Sequence, residues 1–332
     1  MRANTADRAF VGLVAVAAVP YIALCLFGCG LLSYLVVRVA ADGPSALTAD
    51  TDLRPAAAFF AVLSTGGGLA VRSVWRQRRA TRRLVGHVRA DALPTTTAVY
   101  EASEHCGLGR RVDLVESAER WSFTYGLVSP RVAVSTGLAE SADPTELEAV
   151  LQHERYHVRS LDPLKLVVAR ALASAFFFLP ALAHLRRRYV AGRELAADRS
   201  ALRTAGRRPL ASALYQVVAG PDWPEMSTAA AVGGDDLMDL RITQLETGAE
   251  PGLGGVPPSA LAWTGIGLAL LLTALITTVL ALGGPAELMD MTGGGSMVGR
   301  SGAAAVLGGI ACGATWMLGG WALHRWFRGG RR

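Results

Sequence analysis

A chain of 332 residues would suit one or two soluble domains, but 51% of its residues are hydrophobic and its mean hydropathy is +0.32, which excludes an ordinary soluble globule. The formal net charge of +6 invites a nucleic-acid role. The arrangement of that charge argues against one, because the arginines gather beside apolar runs rather than on a single patch. Four cysteines, none in a Cys-x-x-Cys pair, indicate neither a disulfide framework nor a thiolate zinc site.

In chain order, Phe10 to Val37 is uncharged over 28 residues. It is too long for a signal peptide and lacks a short apolar core followed by a small-residue cleavage site, so it reads as a retained membrane anchor. Pro55 to Val71 is shorter, contains Gly66-Gly67-Gly68, and reads as a second span. Ala260 to Leu282 and Gly302 to Leu323 are long and apolar enough to be the third and fourth. Arg76, Arg78, Arg79, Arg82 and Arg83 follow the second run, and Arg325, Arg328, Arg331 and Arg332 follow the last. The loop after the first run carries Asp42, Asp50 and Asp52, and the loop before the last carries Glu287 and Asp290. The positive-inside rule then places the N-terminus, residues 76–255 and the C-terminus in the cytoplasm of a multi-pass protein of the inner (plasma) membrane.

From Leu84 to Ser141 the pattern changes to short β-type stretches. Thr96-Ala98-Tyr100, Val112-Leu114, Phe123-Tyr125 and Arg131 to Ser135 are expected strands, with turns at Gly107-Leu108-Gly109 and Ser129-Pro130. The last of these strands is expected to be an edge that pairs with an extended substrate. A helix follows with clear start signals: Asp143 as cap, Pro144 at the first helical position and Glu146 closing a capping box. It is expected to stop before Pro163.

That helix carries His153-Glu154-Arg155-Tyr156-His157. Residues at i and i+4 share one helix face, so His153 and His157 can reach one Zn²⁺ while Glu154 leans over the open coordination position as general base. The bland alternative is a chance match on a polar face. Leu164 to Ala183 resembles a fifth span, but Pro180 predicts a hairpin dipping into the membrane: a helix to Phe178, a turn at Leu179-Pro180 and a returning helix through Leu202. At about 1.5 Å per residue, its legs, about 21 and roughly 30 Å long, bring Glu194 back to the plane of His157. Glu194 then supplies the third protein ligand, and Asp198, one turn on, holds a ligating imidazole by its other N–H. The competing reading of these acids is a solvated face paired with Arg193 and Arg199. His184 is expected to cap or face the interface, and His87, His105 and His324 to lie on the surface. Arg241, Tyr189 and Arg193 are candidates to stabilise an oxyanion.

Together these residues resemble the BlaR/MecR type of integral-membrane zinc metallopeptidase. The likeness rests on Phe123 to Arg131, Ser135 to Leu138, Glu146 to Glu154, the HERYH run with Leu161-Asp162-Pro163, and Glu194-Leu-Ala-Ala-Asp198. The resemblance implies zinc bound by His153, His157 and Glu194, Glu154 as general base, and peptide hydrolysis near the inner membrane face. Ala197 stands where many members carry cysteine, and the large external sensor domain of the best-known members is expected to be absent. The expected fold is mostly α: four transmembrane helices plus a re-entrant hairpin (164–202), with an α+β zincin-type protease domain. Residues 1–75 would hold spans 1 and 2, 76–255 the cytoplasmic domain, and 256–332 spans 3 and 4. The expected partners are the lipid bilayer and a protein or peptide substrate such as a transcriptional repressor, with no direct nucleic-acid binding. Two alternatives stay open: a CAAX-protease or heat-shock type of membrane quality-control protease, and a non-catalytic transducer with a structural zinc site.

Overall fold

The computed structural model describes residues 5–43, 54–218 and 234–281. The chain divides into two compact units, one of 1–14, 69–175 and 181–257, the other of 15–68, 176–180 and 258–332.

The first unit holds the α+β part. It contains the end of a long helix, α2 (Arg54–Ala90), then β1 (Ala92–Leu93), α3 (Thr97–His105), β2 (Val112–Val115), β3 (Ser122–Tyr125), β4 (Arg131–Ser135) and α4 (Thr136–Ser141). After these come α5 (Pro144–Ser160), α6 (Asp162–Ala175), α7 (Pro180–Ala205), α8 (Arg207–Val218) and α9 (Gly234–Thr247). The strands form one sheet in the order β1-β2-β4-β3, with β2 and β4 parallel and the outer pairs antiparallel.

Two expectations fail here. Thr96 to Tyr100 is not a strand: Thr96 caps α3, its hydroxyl accepting from the Val99 N–H at 3.4 Å. Val99, Ala102 and Cys106 recur at helical spacing and are buried, so one apolar stripe outweighs the β-branched start. Nor is β4 an edge strand. It lies in the interior of the sheet, where Val132, Ala133 and Val134 are fully buried, and β3 takes the edge. A run buried on both faces belongs in the middle of a sheet, whereas the alternating Ser-Phe-Thr-Tyr suits a margin.

One sheet face carries Val112, Leu114, Val132 and Val134 against Val99 of α3, Leu147, Val150 and Leu151 of α5, and Ala213 of α8. The other carries Val115, Trp121, Tyr125 and Ala133 against Val88 of α2, with Phe123 half-buried beside them. Strand alternation therefore turns Phe123 and Tyr125 toward α2, and Ser122 and Thr124 toward α5. Gly137 lets the 117–120 loop lie on α4. Its N–H donates to Ser117 O at 2.8 Å, and a Cβ there would stand 2.3 Å from Ala118 O.

Where the hairpin is expected, two helices, α6 and α7, are joined by a short turn, Phe176 to Leu179; the first ends at Ala175 rather than Phe178, and Pro180 opens the second. The start of α1 (Thr5–Asp42) crosses α7 at Gly192, where a Cβ would come within 3.0 Å of Ala6 N. Asp7 pairs with Lys165 at 3.0 Å, and Phe10 packs on Tyr189 with ring centroids 5.3 Å apart. These contacts anchor the returning leg that carries Glu194.

The second unit holds the rest of α1, the first part of α2, the hairpin tip and α10 (Pro258–Ala281). Gly267 on α10 admits the tip backbone, since a Cβ would be 2.7 Å from Phe178 O. Two helical stretches among the described residues are long and apolar enough to cross a membrane, Thr5–Cys25 and Pro258–Thr277, each with mean hydropathy 2.0. The expected second span is part of the continuous α2, and the fourth lies outside the described residues.

Candidate metal centre

The capping box that starts α5 forms as expected. The Asp143 carboxylate accepts from the N–H groups of Thr145 and Glu146 at 2.8 and 2.9 Å, and Glu146 returns a carboxylate to the Asp143 N–H at 3.1 Å. Leu147, Val150 and Leu151 face the core, which turns His153 and His157 to the next sector of the helix. The helix ends at Leu161, the one non-glycine with positive φ (54°) among the described residues. Holding leucine there costs about 1–2 kcal/mol. The turn starts α6 at once and brings Asp162 back to His157.

Three donor atoms converge. His153 Nε2 and His157 Nε2 are 3.2 Å apart, and Glu194 Oε2 lies 3.4 Å from the first and 3.8 Å from the second. Each imidazole is held from behind. His153 Nδ1–H donates to Asp198 Oδ1 at 2.8 Å, and His157 Nδ1–H to Asp162 Oδ2 at 2.6 Å. With Nδ1 engaged in this way, each imidazole that gives up its Nε2 proton aims that lone pair at one point.

The cluster could hold a metal ion, and its geometry suits zinc. Tetrahedral zinc with bonds of about 2.0–2.1 Å sets its ligand atoms about 3.3–3.4 Å apart, close to the spacings here. Charge balance agrees. Burial opposes ionisation of Glu194, but His157 and Arg193 hold its carboxyl well below the usual range. Asp198 sits at about 2, with burial outweighed by Arg241 and His153, and Asp162 is lowered chiefly by His157 against the same penalty. Three carboxylates thus stand against the guanidiniums of Arg193 and Arg241. Burial alone would pull His157 down, yet Glu194 and Asp162 push it up to about 10, and His153 is raised likewise by Asp198 and Glu194. The imidazoles take up protons to answer a negative site, and a divalent cation answers it without them.

Glu154 is 6% exposed, beside the cluster at the β3 edge. Ser122 Oγ–H donates to its Oε1 at 3.1 Å and Thr124 Oγ1–H to its Oε2 at 2.7 Å. Trp121 O accepts from Ser135 N at 3.1 Å, so the alternate residues Phe123 and Tyr125 also turn their backbone groups toward β4. The N–H and C=O of Ser122 and Thr124 therefore face outward along an edge that no described strand covers.

The structure brings His153, Glu154, His157, Glu194 and Asp198 together. His105, expected on the surface, is exposed and 3.3 Å from Glu148. The three oxyanion candidates all support the cluster from behind. Arg241 makes a two-pronged pair with Asp198 at 2.7 and 2.8 Å. Tyr189 donates its hydroxyl to Asp162 at 2.8 Å, and Arg193 Nη2 lies 3.1 Å from Glu194 Oε1. Sequence reasoning missed Asp162, Ser122 and Thr124. Asp162 sits five residues beyond His157, past the helix end, where no periodicity applies. The polar–apolar alternation of β3 was the available signal for the other two.

Residues 56–245, more than half of the chain, match the BlaR1 peptidase M56 family. The chain is also similar to a protease HtpX homolog 2 of Methanosarcina mazei, 48% identical over 48 residues. That stretch is 14% of this chain and 16% of the relative's length.

Proposed function

The chain belongs to the BlaR1 peptidase M56 family, and on that premise we propose that it is a zinc endopeptidase of the inner membrane that cuts a protein close to the cytoplasmic face. The observation that carries the reading is the convergence of His153, His157 and Glu194 with Glu154 beside them. Two apolar helices long enough to span support membrane association, as does the family.

His153 Nε2, His157 Nε2 and Glu194 Oε2 would hold the zinc, which when bound supplies a Lewis acid for the scissile carbonyl and acidifies water. Asp198 and Asp162 keep both imidazoles in the Nδ1–H tautomer, so that Nε2 stays free to ligate. The outward N–H and C=O groups of Ser122 and Thr124 pair with an extended peptide, which lays its scissile bond along β3 beside Glu154. The Glu154 carboxylate takes the proton of the attacking water and later delivers it to the leaving amine. A cytoplasmic site suits a regulatory substrate such as a repressor. The match to the HtpX homolog favours a second reading, a membrane protease of that kind, with the same residues in the same roles. A transducer with structural zinc has no use for a base at this position.

Glu154→Gln keeps the size and hydrogen bonding of the side chain but cannot accept the proton. Comparing the membrane and cytoplasmic proteomes of cells carrying wild type and this variant should reveal fragments that depend on Glu154. Cleavage of such a substrate should fall at least about 10²-fold with zinc content unchanged. Wild-type cleavage by the variant would leave the structural-zinc transducer as the better account.

A further inference from the structure

Glu154 is held in an unusual way for a group that must receive and return protons. Ser122 and Thr124 stand two residues apart on one face of β3, and their hydroxyls grip opposite oxygens of the same carboxylate. A carboxylate gripped at one oxygen can still rotate about its last bond. Gripped at both, it is fixed in plane and in tilt. Thr124 Oγ1 also lies 3.2 Å from the Glu154 carbonyl, but a hydroxyl has one proton, and the 2.7 Å contact to Oε2 is the shorter. Two donors occupy two of about four lone-pair sites, so each oxygen keeps one for a water molecule.

The same two residues present their backbone groups to the margin of the sheet that no described strand covers. Phe123 and Tyr125 between and beside them are locked against Trp121 and each other, with ring centroids 5.1 and 6.2 Å apart, and this keeps the strand from rolling. A peptide added to the margin therefore hydrogen-bonds to the very residues whose side chains aim the base.

We propose that Ser122 and Thr124 are positioning residues that clamp both oxygens of Glu154 and tie its aim to peptide binding along the β3 edge. This rests on the reading of Glu154 as the general base. The clamp acts on turnover rather than on metal or peptide affinity, because neither side chain reaches a metal donor atom and edge pairing uses only backbone.

The test compares Ser122→Ala, Thr124→Val, the double variant, Thr124→Ser and Glu154→Gln in the full chain, in detergent, with zinc content and Tm measured for each. The substrate is a randomised pool of internally quenched peptides. The double variant should lose roughly 10- to 100-fold in kcat, with KM and zinc content essentially unchanged, and Thr124→Ser should recover most of what Thr124→Val loses. A peptide hydroxamate, which passes its N–O–H proton to a carboxylate, reads the clamp without turnover: its Kd should weaken about 10-fold in the double variant. Unchanged kcat or hydroxamate affinity in the double variant, beside an inactive Glu154→Gln, overturns the clamp alone. Loss of zinc or of Tm in proportion to activity also overturns it, in favour of a packing role. An active Glu154→Gln overturns the reading beneath it.

Discussion

Asp198→Asn is the sharpest test of how the cluster is held. Asp198 is fully buried and accepts from His153 Nδ1 at 2.8 Å and from Arg241 Nε and Nη2 at 2.7 and 2.8 Å. Asparagine keeps one acceptor oxygen but sets an NH2 donor against the guanidinium donors and removes the charge. Arg241 is then a buried cation without its partner, and breaking a buried pair on one side costs about 3–5 kcal/mol. At an unfolding entropy of about 2.1 cal/mol/K per residue, that lowers the Tm of a chain this long by about 4–7 °C. Metal binding suffers separately, because His153 loses the carboxylate that orients it. Partners of this kind change metal affinity about 10- to 100-fold, equivalent to about 1.4–2.7 kcal/mol. The assay is zinc retention against a graded chelator, alongside thermal unfolding with and without zinc. Adding Arg241→Met should restore much of the stability and none of the zinc affinity, since the orphaned charge goes but the orienting carboxylate does not return. Zinc retention by Asp198→Asn within about twofold of wild type would refute the reasoning.

Zinc-free protein should show a pH dependence set by His157, whose imidazole rises from its ordinary 6.5 to about 10. A raised histidine contributes stability that is complete below about 6.5 and is lost as pH climbs toward 10. Tm after chelation should fall across that window, and the gain in Tm on adding zinc should grow across it, because zinc binding expels the proton; a flat profile would contradict the pairing with Glu194 and Asp162. Gly137→Ala should cost about 1–3 kcal/mol by forcing the 117–120 loop off α4, whereas Gly252→Ala, with nothing within 4 Å of its Cβ, serves as the silent control in the same unfolding assay.

Much of the site was legible in the sequence because its signals are local. The capping box at Asp143 and the i, i+4 spacing of His153 and His157 depend only on helix geometry, which neighbouring residues determine. Pro180 likewise breaks the chain where the hairpin turns, which returned Glu194 and Asp198 to the same plane. The rest depends on contacts between segments distant in sequence. No local pattern ties Arg241 to Asp198, 43 residues apart, or Ser122 to Glu154, 32 apart. Strand order was undetermined for the same reason: apolar β4 and alternating β3 both read as strands, and only packing helices on both faces decided which is interior. Thr96 to Tyr100 went the other way, its β-branched threonines overruled by a buried stripe at helical spacing. Sequence fixes those features whose energy is spent within a turn or two of chain; the sheet order, the carboxylates behind the histidines and the hydroxyls on the base exist only once burial has removed water as their competing partner.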